Sequence, residues 1–358
     1  MNSIIQTEHI PDSFRYGIAV PLFKHGKENM LDKDNYRKIT LLTTFCKLFE
    51  GITLMRADPW LLSENRLSPL QGAAAPGCSC LHTSLLLRET AEFQHEGGHE
   101  TYVALLDARK AFDSVWVKRL FFKLYKLGIN GKLWRLLLNW YSDINCKVRI
   151  GSTLSEAFTL GQGVFQGGKW SMRLFQVFYN ALLVILENYG KGATIYEIKA
   201  VCPTYADDLA IAAPFLPTLQ ELLDIVYKYA CKWRIQFNAA KSVVLKLPVP
   251  KDKPSIICSI GGQEIPTKPL PEHLGTLIGH EGDVINAMIA KGKTCFNSML
   301  GIGSRTGGIN PKVASKLYWT SVIPCMLYGV EVLALSNQAI EKLEQQHRTF
   351  AKRLQCLP

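Results

Sequence analysis

Tyr205-Ala206-Asp207-Asp208 lies between the apolar runs Ala200-Val201 and Leu209-Ala210-Ile211-Ala212-Ala213. Apolar β-type runs on both sides of a short polar pair predict a tight hairpin. Two carboxylates then share one turn with their backs to a core. Like charges so close repel, and one keeps its proton unless a cation neutralises both. A divalent metal held by oxygen ligands is the ordinary solution, and such paired-carboxylate sites serve phosphoryl and nucleotidyl transfer. An Asp-Asp pair is also common in plain surface turns, so the flanking sequence has to decide.

Upstream lies Tyr102-Val103-Ala104-Leu105-Leu106-Asp107-Ala108-Arg109-Lys110-Ala111-Phe112-Asp113. Its apolar run reads as a buried strand with the Asp107 carboxylate at its C-terminal end. Between the two carboxylate motifs, Gly161-Gln162-Gly163-Val164-Phe165-Gln166-Gly167-Gly168 forms a glycine-rich loop that feeds a long apolar helix. This order resembles the palm of a reverse transcriptase, specifically those of non-LTR (LINE-type) retrotransposons.

The resemblance extends over nearly the whole chain. Pro21-Leu22-Phe23-Lys24-His25-Gly26-Lys27, Asn35 to Leu41 and Lys47-Leu48-Phe49-Glu50 resemble the fingers segment. Gln71-Gly72 and Gly77-Cys78-Ser79 resemble the block written Q-x-G-F-R-x-G-x-S. Asn238 and Lys241 match the block after the Asp-Asp pair, Leu274-Gly275 the hinge before the thumb, and Pro324 to Glu331 the region beyond it. The departures are Ala75 and Phe165, where Arg is common, and Lys169, Met172 and Arg173 in place of a Ser-Pro pattern.

The resemblance implies an α+β, right-hand polymerase fold: fingers over 1–100, palm with an antiparallel sheet and packed helices over 101–280, and helical thumb over 281–358. It implies an RNA-directed DNA polymerase using two Mg²⁺ ions, with Mn²⁺ a substitute. Asp107, Asp207 and the Ala108 carbonyl are the expected ligands, with Asp208 in support. Phe112 is expected under the sugar, where a 2′-hydroxyl would clash. Gln166 is expected near the nascent base pair, and Gly167 where backbone comes close to nucleic acid. Lys241 is a candidate proton donor to pyrophosphate; Lys24, Arg37 and Lys38 are candidates for gripping template or triphosphate. The expected partners are an RNA template, a DNA primer and dNTPs, in a nuclear and cytoplasmic ribonucleoprotein. No endonuclease, zinc-knuckle or RNase H region is visible, which reads as a shortened open reading frame whose endonuclease comes from elsewhere. The alternative is a non-catalytic retroelement remnant that binds RNA.

Composition agrees. The chain has 358 residues, 47% hydrophobic, and a net charge of +11. That length holds two or three subdomains, and the charge favours polyanions through counterion release. The ten cysteines contain no C-x-x-C pair, so free thiols are expected. The Leu174–Leu186 stretch is interrupted by Gln176 and Asn180 and reads as a core helix, not a membrane span; no membrane partner is expected. His95-Glu96-Gly97-Gly98-His99 matches the zincin pattern, but two central glycines oppose the continuous helix that pattern requires.

Periodicity predicts helices over Leu81–Phe93, Val117–Leu127, Lys132–Tyr141, from Ser171 as N-cap to about Tyr189, Thr218–Trp233, Val284–Leu300, Pro311–Tyr328 and Gln338–Leu354. In Val117–Leu127 the polar side is read as Lys118, Arg119, Lys123 and Lys126, with Gly128 as C-cap. Lys147–Ile150 and Glu156–Leu160 read as a hairpin, Val243–Leu247 as a strand, and Asn65–Cys80 and Pro248–Pro254 as loops. Asp113 is read as capping the next helix or orienting the loop. The Trp and Tyr residues at 134, 140, 141, 318 and 319 read as core.

Overall fold

The computed structural model describes residues 1–24, 29–63, 66–249, 256–301 and 309–355. His25–Lys27, Asn65 and positions 250–254 of the Pro248–Pro254 loop lie outside the described residues.

Two main sheets organise the chain. The first runs Tyr36–Leu41, Tyr16–Phe23, Asn145–Ile150 and Thr153–Leu154, with Phe158–Thr159 also paired to Asn145–Ile150. Tyr16–Phe23 is antiparallel to Tyr36–Leu41 and parallel to Asn145–Ile150, so a strand from 101–280 completes the N-terminal sheet. The expected hairpin after Lys147 is a three-piece meander, because Thr153–Leu154 and Phe158–Thr159 each pair with a different part of Asn145–Ile150.

The second sheet is antiparallel throughout, in the order Val243–Leu247, Thr101–Leu106, Asp208–Ala213, Thr204–Tyr205. Its central strands are buried on both faces, hence near-continuous apolar runs instead of alternation.

The Lys169–Tyr189 helix runs through the core on Trp170, Leu174, Phe175, Phe178, Leu182 and Leu186. It begins before the expected Ser171 cap, with Gly168 at the N-cap position. The cap comes from another element: the buried Glu50 carboxylate accepts the Lys169 N–H at 2.8 Å, which satisfies a donor of the first turn. Burial raises the Glu50 pKa, and those N–H bonds oppose the rise.

Val117–Leu127 forms with Gly128 in the left-handed cap conformation, as expected. Its polar side is corrected at Lys123, which is buried. The ammonium donates to the Phe178 carbonyl and the Tyr229 hydroxyl and lies 3.7 Å from the Trp233 ring centre.

The C-terminal helices Glu281–Gly301, Pro311–Leu317, Ile323–Leu327 and Asn337–Leu354 pack around Phe296, Met299, Tyr318, Val322 and Phe350. The continuous helix expected over Pro311–Tyr328 is interrupted by a π-helical stretch, Tyr318–Val322. Pro324 lacks an N–H and crowds the carbonyl four residues earlier, and a wider turn relieves both. Of the aromatic residues expected in the core, Trp140, Tyr141 and Tyr318 are buried and Trp134 half-buried, whereas Trp319 is 57% exposed. Among the described residues no helix is long and apolar enough to cross a membrane.

Candidate active site

The Tyr205–Asp208 stretch forms the expected hairpin: Tyr205 pairs with Asp208, leaving Ala206 and Asp207 as the two turn residues. Leu209 pairs with Leu106, so continuing the register by one residue sets Asp208 opposite Asp107. Ala206 adopts φ +57°, a left-handed conformation that costs an alanine about 1 kcal/mol or more.

The buried Gln71 side chain holds that turn. It accepts the Ala206 N–H at 2.8 Å and donates to the Ala206 carbonyl at 3.1 Å. Its neighbours add as a short strand, with Gly72 N–H on the Thr204 carbonyl and Thr204 N–H on the Leu70 carbonyl. The Lys169–Tyr189 helix holds this segment in turn. Arg173 donates to the Ala74 carbonyl, Gln176 to the Ala73 carbonyl, and Asn180 to the Arg66 carbonyl while accepting the Ser68 N–H. Arg173, Gln176 and Asn180 follow helical i, i+3, i+7 spacing, so a polar stripe on an apolar helix positions the loop that positions the carboxylates. Sequence reasoning saw Gln176 and Asn180 only as interruptions of an apolar run; their helical spacing was the available signal.

Asp107 is fixed through its main chain. Its N–H donates to the Ser242 hydroxyl at 3.1 Å and its carbonyl accepts the Asn238 N–H at 2.9 Å. Ser242 was not among the expected site residues. Asp113 does not cap the following helix, where Trp116 holds the N-cap position; its carboxylate pairs with Lys38 at 2.9 Å and ties the Tyr36–Leu41 strand to the Asp107 loop.

One cavity of about 1250 Å³ is lined by Asp107, Ala108, Phe112, Gln166, Gly167, Asp207, Lys241, Lys24 and Arg37. Every residue expected at the site is therefore on its wall except Asp208, one position beyond Asp207 along the hairpin. Phe112, on the cavity wall, is braced by stacking on Phe175, ring centres 4.6 Å apart. Lys24 donates to the Asp34 carbonyl at 2.7 Å. Gly167 has φ +136°, and a Cβ there would fall 2.5 Å from the Thr40 carbonyl oxygen. The close backbone approach that makes it glycine is thus to Thr40 within this chain. Phe165 is buried in the core against Gly17, and Ala75 is not on the cavity wall.

Burial, followed by the charge of Asp107, raises the Asp207 pKa against the pull of Arg37. Surrounding protein displaces water from Asp208 although part of the residue stays exposed. With the charges of Asp207 and Asp107, this pushes its pKa up to about 6. Carboxylates raised by loss of water and by each other's charge form an oxygen donor set that fits a divalent ion. Among the described residues no three His, Cys, Asp or Glu side chains converge as a finished cage, so an ion held here would draw on backbone, water or substrate oxygens to complete its coordination. Ala108 is on the cavity wall to do so.

The zincin reading fails on geometry. The helix ends at Glu96 and Gly98 turns left-handed, with Gly98 N–H bonded to the His95 carbonyl and His99 N–H to the Gln94 carbonyl. The two histidines do not share a helical face.

Residues 24–267 match the family described as reverse transcriptase (RNA-dependent DNA polymerase). The chain belongs to that family. Its α+β architecture is accordingly the right-hand polymerase fold. The RNA-directed DNA polymerase from mobile element jockey of Drosophila funebris is 26% identical over 67% of this chain and 26% of its own length. The Pol polyprotein from type-1 retrotransposable element R2 of Popillia japonica is 25% identical over 98% of this chain and 48% of its own. The reverse transcriptase chain thus spans a quarter to a half of these relatives, which come from mobile elements as the sequence resemblance implied. Among solved structures, apo telomerase from Candida tropicalis gives a TM-score of 0.48 at 11% identity, over 98% of this chain and 63% of that one. Reverse transcriptases as a family use divalent metal ions.

Proposed function

We propose that this chain is an RNA-directed DNA polymerase that extends a primer 3′-hydroxyl with dNTPs on an RNA template. The observation that carries the reading is the shared cavity: Asp107 and Asp207 face it together with Arg37, Lys24, Lys241, Gln166 and the Phe175-braced ring of Phe112. Residues 1–100 then serve as fingers, 101–280 as palm and 281–358 as thumb.

Divalent ions, two Mg²⁺ in this reading with Mn²⁺ a substitute, would activate the attacking hydroxyl and neutralise the triphosphate. Asp107, Asp207 and the Ala108 carbonyl would hold them, with Asp208 in support. The chain's own contribution is position and charge. Gln71 and the Asn238–Ser242 turn fix the two carboxylates from opposite sides of the sheet. Phe112, on the cavity wall, would lie under the sugar and clash with a 2′-hydroxyl, which would select deoxynucleotides. Gln166 backs the nascent pair. Arg37 and Lys24 would offer positive charge to template or triphosphate, and Lys241, on the same cavity wall, would balance or protonate the leaving pyrophosphate. An endonuclease would come from another protein or another part of the same one, in a ribonucleoprotein of nucleus and cytoplasm.

The test is primer extension by the purified chain with oligo(dT) on poly(rA), dTTP and Mg²⁺ or Mn²⁺, beside Asp107→Ala and Asp207→Ala. Metal-dependent extension lost in both variants supports the reading. A folded, RNA-binding chain that never extends the primer overturns it in favour of a non-catalytic binder.

A further inference from the structure

The Val117–Leu127 helix is inverted for an ordinary surface helix. Its inner face buries a lysine, Lys123, while its outer face exposes two aromatic rings, Phe122 at 46% and Tyr125 at 58%. The rings are three residues apart and therefore neighbours on one face. Lys118, Arg119 and Lys126 interleave with them, four and three residues before Phe122 and four after it. Lys126 lies over the Phe122 ring at 5.9 Å, and Tyr125 meets the half-buried Trp134 edge-on at 6.1 Å.

Among the described residues these cations have no acidic partner. From Ser114 to Ser142 the chain carries six basic residues and no acidic one, so any counterion has to come from outside this stretch. Arg135 in that stretch is paired with Glu8. Among the described residues Lys118, Arg119 and Lys126 form no ion pair. None of the residues of this helix lines the catalytic cavity.

We propose that the outer face of the Val117–Leu127 helix is a second nucleic-acid surface that binds single-stranded RNA, apart from the site of copying. Phe122 and Tyr125 stack unpaired bases, and Lys118, Arg119 and Lys126 meet the phosphates. Charge complementarity selects a polyanion, and exposed rings between cations select one with unstacked bases over a duplex. A protein partner fits less well, because lysine is depleted from the centres of protein interfaces. The choice of RNA rests on the proposed polymerase reading: this surface would hold a length of the template that is not being copied.

The experiment uses the full chain and a labelled oligo(rU) 20-mer, followed by fluorescence anisotropy over a salt series. A duplex of equal length and an acidic peptide, poly-Glu, serve as the other probes. The variants are Phe122→Ala/Tyr125→Ala and Lys118→Ala/Lys126→Ala, both confined to exposed side chains and checked by circular dichroism. The aromatic double variant should weaken oligo(rU) binding about tenfold or more while leaving duplex binding in place. The lysine double variant should lower the salt slope by about 1.4, at ~0.7 for each single-strand phosphate that is no longer neutralised. Crosslinking of 4-thiouridine RNA should label peptide 117–127 in the wild type only. Unchanged oligo(rU) affinity, an equal loss for duplex, or a loss confined to poly-Glu each overturns the proposal. Primer extension on a template just long enough to fill the cleft should be unaffected by either pair of substitutions. If the wild type extends nothing yet loses oligo(rU) binding on ring removal, the polymerase reading falls and the surface stands.

Discussion

Gln71 grips Ala206 by both its backbone groups, accepting from the N–H at 2.8 Å and donating to the carbonyl at 3.1 Å. An alanine at φ +57° is thereby kept in a conformation it would otherwise leave. The next residue is Asp207, so the clamp sets the height of a site carboxylate above the sheet.

Gln71→Ala leaves two buried backbone groups of the turn without partners, which should cost about 2–3 kcal/mol of stability. Extension should fall further than that loss explains, by about 100-fold, because a carboxylate displaced by ~1 Å misplaces the reacting atoms. Adding Ala206→Gly removes the left-handed penalty of about 1 kcal/mol and should restore melting temperature more than activity. Thermal melts beside single-turnover extension would decide it; a Gln71→Ala chain with full turnover would show that the clamp is only structural.

Phe165→Arg should not restore a triphosphate contact. The ring is buried against Gly17, and an unpaired guanidinium there should destabilise the fold by about 3 kcal/mol or more. Ala75→Arg, in a half-buried loop off the cavity wall, should shift stability by no more than about 0.5 kcal/mol. Urea melts of the two variants make the comparison. A Phe165→Arg chain as stable as the parent would mean that this ring is not a core residue.

What could be read in the sequence follows what is local. The Tyr205–Asp208 hairpin, the Val243–Leu247 strand and the helix bounds near Gly128 and Tyr189 rest on turn residues and periodicity within a short window. The partners were not legible, because they lie far apart in the chain. Nothing near Gln71 says that its amide meets residue 206, and nothing near Lys169 says that Glu50 caps its helix. Polar residues inside apolar helices, Gln176, Asn180 and Lys123, mark such distant partners, but only the fold says which.

Proton and metal should compete at the hairpin. The Asp208 pKa is raised to about 6 by the protein that displaces water around it and by the charges of Asp207 and Asp107. Below that pH the carboxyl is neutral, so divalent-metal affinity should fall, by about tenfold per pH unit for each proton that must leave. The stability sign is the reverse of a paired carboxylate. Without metal, the folded chain holds this proton more tightly than the unfolded chain, so stability falls as pH rises from the ordinary carboxylate range through about 6. Asp208→Asn should therefore stabilise the metal-free chain at pH 8, by about 1 kcal/mol once solvent screening is allowed for, and should leave it unchanged at pH 3. Melts in EDTA at the two pH values test this; equal effects at both would remove the titration from the account.

Lys123 extends the pH argument to the core. Burial pulls its pKa down to about 7, while the Phe178, Tyr229 and Trp233 rings and the Phe178 carbonyl favour the ammonium and oppose that shift. A lysine whose folded pKa lies below its unfolded value lets the unfolded chain bind more protons between the two. Stability should therefore rise with pH from about 7 toward 10, at no more than about 1.4 kcal/mol per unit. Lys123→Met fills the same volume without a charge, so it should flatten that rise and cost little at pH 7. Lys123→Ala removes the same titration but also leaves a cavity among three rings, so it should be about 3 kcal/mol less stable than Lys123→Met at every pH. If Lys123→Met melts with the same pH profile as the parent, the ring cage outweighs desolvation and the lysine stays charged throughout.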